Sequence, residues 1–85
     1  MDKARDAVLM PLYGFMQGDT LGLLILSQDT DTICEVIKKI KISASPRLDT
    51  RAEYKLVYKG KVLRQDLTVV QAGLEALERV DLVRK

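Results

Sequence analysis

Few side chains in this sequence could carry out chemistry, and their spacing does not suit catalysis. His is absent from the 85 residues, which removes the commonest general base and metal ligand. Asp29 and Asp31 could suggest metal ligation, but two carboxylates in a polar loop before a helix usually serve turns and caps. Ser27 and Ser43 have no neighbouring base that would activate a hydroxyl. We therefore expect no catalytic residue, no metal ligand and no cofactor.

A lone thiol and a glycine turn are the other features with chemical potential. Cys34 is the only Cys, which excludes an intrachain disulfide and a Cys-rich zinc site. We interpret it as a small helix residue, with a reactive thiol as the alternative. Gln17-Gly18-Asp19-Thr20 lacks the glycine spacing and the Lys-Ser/Thr pair of a phosphate-binding loop, so we interpret it as a turn.

The charged residues nearly balance, with 14 Lys and Arg against 12 Asp and Glu, a net charge of +2. The basic residues that could form one patch are Lys38, Lys39, Lys41, Arg47 and Arg51. We interpret the lysines as a solvated helix end that suits the helix dipole, with an anion-binding patch as the alternative. No aromatic platform accompanies them, so we expect no nucleic-acid partner.

The sequence contains no pattern for membrane insertion or export. The longest apolar run is Leu21–Leu26, whereas a membrane-spanning helix needs roughly 20 residues. Residues 1–7 are polar and mixed in charge, which indicates a loose N-terminus without the pattern of a signal peptide. We expect a cytoplasmic protein with no membrane partner.

The first half of the chain predicts a β-hairpin followed by a helix. Apolar segments at 8–16 and 21–26 flank the glycine turn, and Pro11 requires an exposed edge or a bulge in the first strand. Thr32 and Glu35 have the spacing of a capping box. The apolar stripe that follows predicts a helix of about 12 residues: Ile33, Val36, Ile37, Ile40 and Ala44.

The second half predicts three short strands. They cover 54–58, 61–63 and 80–83, and Lys59-Gly60 forms the turn between the first two. Asp66 is placed to cap a brief turn of helix over 67–72, and Gly73 follows where a left-handed C-terminal cap favours glycine. The predicted order, β-β-α-β-β-short helix-β, indicates an α+β fold with one main helix across one face of a sheet.

This order and three stretches of sequence resemble ubiquitin and its relatives, the β-grasp fold. The stretches are Thr32-Ile33-x-x-Val36-x-x-x-Ile40, Leu56-Val57-Tyr58-Lys59-Gly60-Lys61-x-Leu63, and Leu67–Val69 through Gly73-Leu74 to Val80–Val83. The resemblance implies a mixed sheet and a single ubiquitin-like domain over residues 8–85. Ubiquitin-type modifiers end in Gly-Gly, whereas this sequence ends Val83-Arg84-Lys85, so we expect no covalent conjugation.

A closer resemblance is to the small B (gamma) subunit of toluene and related aromatic monooxygenases. Leu12–Leu21 and Asp66–Leu74 carry it, together with the basic Pro46-Arg47 segment after the helix. The resemblance implies a bacterial protein of aromatic hydrocarbon catabolism that sits on a large diiron hydroxylase subunit and itself holds no metal or substrate. The alternative is a free-standing ubiquitin-like adaptor.

The hairpin has large apolar side chains on both faces. If one face were exposed to solvent, apolar and polar residues would alternate along each strand. We expect the side that faces the helix to carry Leu9, Pro11, Tyr13, Leu23 and Ile25. The other side would then form a candidate partner interface of Met10, Leu12, Gly14, Met16, Leu24, Leu26, Val57 and Val83. Gly14 and Gly22 would let a partner backbone approach closely. The alternatives are a shifted register, or cover by the N-terminus or a second copy.

Overall fold

The helix begins where the capping box predicts. The computed structural model describes residues 8–16, 22–44 and 51–85, and its helix α1 spans Ile33–Ala44. The Thr32 backbone N–H donates to Glu35 Oε1 over 2.9 Å, and the Glu35 N–H donates to Thr32 Oγ1 over 3.2 Å. These reciprocal bonds satisfy two N–H groups that the helix itself leaves without acceptors.

The described residues form a sheet of five strands, and the strand order confirms the predicted α+β, ubiquitin-like topology. The strands are β1 (Leu9–Met16), β2 (Gly22–Gln28), β3 (Tyr54–Tyr58), β4 (Lys61–Val62) and β5 (Arg79–Arg84). They lie side by side in the order β2-β1-β5-β3-β4. The sheet is mixed, because β1 runs parallel to β5 while the other pairs are antiparallel.

The core lies between α1 and one face of this sheet. The predicted helix stripe is buried: Ile33, Val36, Ile37, Ile40 and Ala44. The sheet contributes side chains that are at most 2% exposed: Leu12, Ile25, Leu56, Val80 and Leu82. Each such aliphatic side chain stabilises the fold by roughly 1.5–3 kcal/mol on burial. Among the residues that the structure describes, no helix lies over the opposite face of the sheet.

The segment before β5 corrects one prediction. The brief turn of helix predicted over 67–72 is reduced to a single α-type bond, from Ala72 N–H to Thr68 O, within turns at 65–66 and 69–73, and its cap is Thr68 rather than Asp66. Thr68 and Gln71 exchange the bonds of a cap there, whereas the Asp66 carboxylate pairs with Arg64 at 2.6 Å. Gly73 has a φ of +81°, the left-handed conformation predicted for it.

Removing the capping hydroxyl at the helix start should weaken the fold measurably. We expect Thr32→Ala to lower the free energy of unfolding by about 1 kcal/mol, since the Glu35 N–H loses its acceptor. Urea denaturation followed by far-UV circular dichroism measures the change. Thr30→Ala, at an exposed turn position, is the control and should change it by less than about 0.5 kcal/mol. Equal effects of both variants would contradict this role of Thr32.

Candidate interaction surface

The structure inverts the orientation predicted for β1. Leu12 is fully buried and Met16 is 8% exposed, and both face the helix. Met10 and Gly14 lie on the same side, where Met10 packs against the core and Gly14 faces Ile40. The predicted placement of residues 10, 12, 14 and 16 on the opposite face is therefore wrong.

The helix-free side of β1 carries the residues that were expected in the core. Leu9 is 60% exposed and Tyr13 is 41% exposed. Tyr13 pairs in register with Leu24 of β2, and Pro11 pairs with Leu26; both leucines are more than half exposed. Cross-strand partners share a face, so β1 and β2 present one continuous apolar surface.

Two contacts within the core explain the orientation of β1. A Cβ at Gly14 would lie 3.1 Å from Ile40 Cδ1, so the missing side chain at residue 14 lets the helix approach the sheet. The Ser27 hydroxyl is fully buried and donates to Met10 O over 2.6 Å, which satisfies a polar group inside the core. Neither contact is local in sequence.

Pro11 is accommodated as the sequence requires. Its O atom accepts a bond from Leu77 N–H on the side of β5, so its missing N–H also lies on that side. The β5 ladder begins only at the Tyr13–Arg79 pair. Pro11 therefore lies before the start of the β5 ladder, so its missing N–H costs no ladder bond.

The helix-free face is defined here by the described apolar side chains that point away from α1. They are Leu9, Pro11, Tyr13, Phe15, Leu24 and Leu26 on β1 and β2, and Val57, Val62 and Val83 on β3, β4 and β5. Gly22 also lies here, but the Phe15 ring covers it: a Cβ at Gly22 would lie 2.6 Å from Phe15 Cζ. The space at Gly22 is thus filled by the chain itself rather than open to a partner backbone.

An ion pair divides the helix-free face. Arg79 Nη2 lies 3.1 Å from Asp81 Oδ1, and the guanidinium lies 4.1 Å from the centroid of the Phe15 ring. Val57 and Val62 lie beyond this pair, on β3 and β4, whereas Val83 follows Asp81 along β5 itself. A partner would therefore meet a hydrogen-bonding stripe between two apolar areas, and burying that stripe without polar contacts would carry a desolvation cost.

A second ion pair closes one end of the outer strand. Lys39 Nζ lies 2.7 Å from Asp31 Oδ2 and also donates to Leu26 O. The same Asp31 oxygen accepts the Gln28 N–H over 2.9 Å. Burial would raise the pKa of the Asp31 carboxyl, but the bonds from Lys39 and Gln28 outweigh burial and hold the pKa below its usual value.

This lowered pKa makes the contribution of Asp31 to stability depend on pH. A carboxyl with a lower pKa in the folded state stabilises the fold above its unfolded pKa, near 3.9, and that contribution is lost as the pH falls through the folded value. We expect Lys39→Gln to lower the free energy of unfolding at pH 7 and to have a smaller effect near pH 2.5. Urea denaturation of the unmodified chain and of Lys39→Gln, each at pH 7 and near pH 2.5, measures the two effects. An effect of equal size at both would contradict it.

Two lysines of the predicted basic patch form separate contacts within the fold. Lys39 serves the Asp31 pair, whereas Lys41 donates to Ala52 O and lies 5.7 Å from the Tyr54 ring centroid. Arg47 falls outside the described residues, as do residues 1–7 and the turn at 17–20. These contacts favour a structural interpretation of the helix lysines.

Groups with catalytic potential are scarce in the part of the chain that the structure describes. Three or more His, Cys, Asp or Glu side chains that could hold a metal ion do not come together within residues 8–16, 22–44 and 51–85. The Tyr58 hydroxyl donates to Glu78 Oε2 over 2.8 Å, and this bond raises the pKa of Tyr58, which keeps the phenol protonated. Over the same ranges, α1 lacks the length and apolar character to cross a membrane.

Comparison with known proteins gives a family and a fold. The model of the family described as "Toluene-4-monooxygenase system protein B (TmoB)" matches residues 9–83. A chain of the structure "Toluene 4 monooxygenase HD Complex with Inhibitor 4-Bromobenzoate" superimposes with a TM-score of 0.81 at 20% identity, covering 92% of this chain and 100% of that one. No curated protein sequence matches the chain.

Ubiquitin-like proteins from distant organisms share the fold. The UBL domain of Plasmodium falciparum Dsk2 has a TM-score of 0.72 at 15% identity, covering 92% of this chain and all of that domain. Caldiarchaeum subterraneum ubiquitin has a TM-score of 0.73 at 20% identity, covering 92% and 95%. These matches confirm the predicted β-grasp fold, which by itself implies no activity.

Proposed function

This chain belongs to the toluene-4-monooxygenase system protein B family, and from that premise we propose that it is a non-catalytic small subunit of a bacterial multicomponent diiron monooxygenase of the toluene or aromatic type. The chain docks on the large hydroxylase subunit and serves structure or assembly rather than chemistry. Its place is the cytoplasm, within aromatic hydrocarbon catabolism. Its similarity in fold to a chain of a toluene 4-monooxygenase complex supports the proposal.

The observation that carries the proposal is the exposed apolar surface of β1 and β2. Leu9, Leu24 and Leu26 are 54–60% exposed, and they lie beside the half-exposed Tyr13. Burying apolar surface is worth about 25 cal/mol per Å², and contiguous apolar patches on soluble proteins usually mark interaction sites. A large, permanently bound subunit is the simplest cover for such a surface.

The polar groups of the described residues serve the fold, which supports a non-catalytic role. Asp31, Asp66 and Asp81 each form an ion pair with a nearby Lys or Arg. The Glu35 carboxylate caps the helix, and Glu78 accepts the Tyr58 hydroxyl. These contacts account for the five carboxylates as stabilisers of turns, strands and the helix start, without a catalytic role.

Co-expression with a large diiron hydroxylase subunit encoded beside this chain tests the proposal. We expect the two chains to co-purify through size-exclusion chromatography in fixed stoichiometry. Hydroxylase prepared without this chain should have lower yield or activity. A fully active hydroxylase that assembles without this chain, together with no co-purification, would overturn the proposal.

The second candidate is a free-standing ubiquitin-like adaptor without conjugation activity. The observation that favours it is the position of Val57 and Val83 on the helix-free face, since the resemblance to ubiquitin puts these two on its recognised hydrophobic surface. An adaptor should be a monodisperse monomer by light scattering and should not bind the hydroxylase. Tight binding to the hydroxylase would exclude it.

A further inference from the structure

Strand β2 lies at the edge of the sheet, so its outer backbone groups have no neighbouring strand. Asp29 N–H donates to Val8 O, which sets the phase of the ladder: odd-numbered residues of β2 bond to β1. The N–H and C=O groups of Leu24 and Leu26 therefore point outward. Edge strands of this kind are templates for pairing with another chain.

The ion pair of Asp31 and Lys39 occupies only one end of this edge. The Lys39 ammonium donates to Leu26 O, and the Asp31 carboxylate accepts a bond from Gln28 N–H. Within the described residues, the outward N–H and C=O of Leu24 and the N–H of Leu26 have no such partner. The open part of the edge thus ends at Leu26, where the Lys39 ammonium already caps the carbonyl.

An open groove runs along this edge, between β2 and α1. It has a volume of about 330 Å³ and is lined by Leu24, Ile25, Leu26, Lys39, Ile42 and Ser43. Ile42 is 76% exposed, although nothing in the fold requires a large apolar side chain there. Lys38 is exposed one helical turn before Ile42, and the nearby Glu35 carboxylate is engaged by Thr32. The groove therefore has an apolar wall, Lys39 supplies a cation in its lining, and Lys38 adds an exposed cation beside it on α1.

We propose that an extended segment of the large hydroxylase subunit adds to β2 as a further strand and occupies this groove. The segment carries an apolar side chain over Ile42 and an acidic side chain near Lys38, because those groups complement the apolar wall and the exposed cation. The proposal rests on the proposed function and specifies how the same partner is held. Main-chain bonds to Leu24 and Leu26 provide the pairing.

Continuity between two surfaces supports one partner rather than two. Leu24 and Leu26 direct their side chains onto the helix-free face and their outer backbone groups into the groove. A protein that covers the apolar surface of β1 and β2 therefore reaches the edge of β2 without a gap. A strand added there would extend the sheet across the interface.

Amide hydrogen exchange in the complex of this chain with the large hydroxylase subunit tests the strand addition. We expect exchange at the Leu24 and Leu26 amides to slow at least about tenfold on binding, since ladder bonds protect amides. Gln28 N–H, already bonded to Asp31, is the internal reference. A complex in which the two amides exchange as in the free chain would overturn the strand addition and leave the docking intact. Failure to form a complex would overturn both.

A pair of variants at one position isolates the contribution of the backbone. Leu24→Pro and Leu24→Thr both remove the leucine side chain, but only Leu24→Pro removes the outward N–H. Because that N–H does not bond to β1, proline is tolerated there as at other edge positions. We expect Leu24→Pro to weaken hydroxylase binding about tenfold more than Leu24→Thr. Equal affinities would overturn the strand addition; if Leu24→Pro does not fold, amide exchange in the unmodified chain decides.

The groove wall has its own matched pair. We expect Ile42→Ser to weaken binding about tenfold, because an apolar anchor is lost from the interface. Val70→Ser removes a side chain that is 57% exposed in the turn after Thr68 and should change affinity less than twofold. Equal effects of Ile42→Ser and Val70→Ser would overturn the assignment of the groove.

Discussion

Tyr13→Glu is expected to weaken binding of this chain to the large hydroxylase subunit at least about 100-fold, or about 2.7 kcal/mol. Tyr13 lies on β1 between Leu24 of β2 and Arg79 of β5, near the middle of the helix-free face. Truncating an aromatic anchor there loses apolar contact, and the new carboxylate would be buried against the partner. Isothermal titration calorimetry of the purified components measures the change.

The free chain should tolerate this substitution, which separates binding from folding. Tyr13 is 41% exposed and stands in register with Arg79, so a glutamate has solvent and an opposite charge beside it. Val70→Glu is the control, because Val70 is 57% exposed in the turn after Thr68 and belongs to none of the strands that form the helix-free face. If Tyr13→Glu binds as tightly as Val70→Glu while both fold, docking through this face is wrong.

Leu12→Ala should destabilise the fold by about 2–5 kcal/mol, a large part of the total stability of a small domain. Leu12 is fully buried between β1 and the helix, and truncation would leave a cavity in the core. Leu24→Ala, at a side chain that is 54% exposed, should lower the free energy of unfolding by less than about 1 kcal/mol. Chemical denaturation of both variants gives the comparison.

This pair decides the orientation of β1, because the sequence alone assigns both leucines to the same exposed face. In the structure, the Leu12 partner across the strands is Ile25, and the Leu24 partner is Tyr13. Comparable losses for Leu12→Ala and Leu24→Ala, or a larger loss for Leu24→Ala, would show that β1 has the opposite orientation.

The helix and the strand order could be predicted from sequence because their signals are local. Thr32 and Glu35 are three residues apart, and their reciprocal bonds form as the spacing predicts. The stripe from Ile33 to Ala44 has the helical period and is buried as expected. Gly73 marks a left-handed cap even though the segment before it is a turn rather than a helix.

The orientation of β1 could not be predicted in this way. Residues 8–16 are apolar or glycine at nearly every position, so the alternation that separates core from surface is missing. What decides the orientation is tertiary: Gly14 makes room for Ile40, and the Ser27 hydroxyl finds Met10 O. The sequence-based prediction assumed an alternation that was shifted by one residue, and it therefore assigned Leu12 and Met16 to the wrong face.

The ion pairs at the candidate surface also could not be predicted from the sequence. Asp31 lies in the loop before α1, whereas Lys39 lies in the middle of that helix. Lys39 reaches Leu26 O only because α1 packs beside the edge of β2. Arg79 and Asp81 are two residues apart, so they share one face of β5. Because every pair of residues at this spacing in a strand shares a face, the spacing alone does not predict an ion pair. The position of Arg79 and Asp81 in the middle of an apolar face follows from the pairing of β5 with β1.

The most direct test of docking through the helix-free face is the reactivity of single thiols placed on and off it. Cys34 is the only Cys of the chain, so a Cys34→Ser background makes each introduced thiol unique. Leu24→Cys and Val70→Cys, at side chains 54% and 57% exposed, should react with a maleimide at similar rates in the free chain. Saturating hydroxylase should slow the Leu24→Cys reaction at least about tenfold and leave Val70→Cys unchanged, because an interface core excludes solvent. Unslowed labelling of Leu24→Cys in a formed complex would contradict docking through this face.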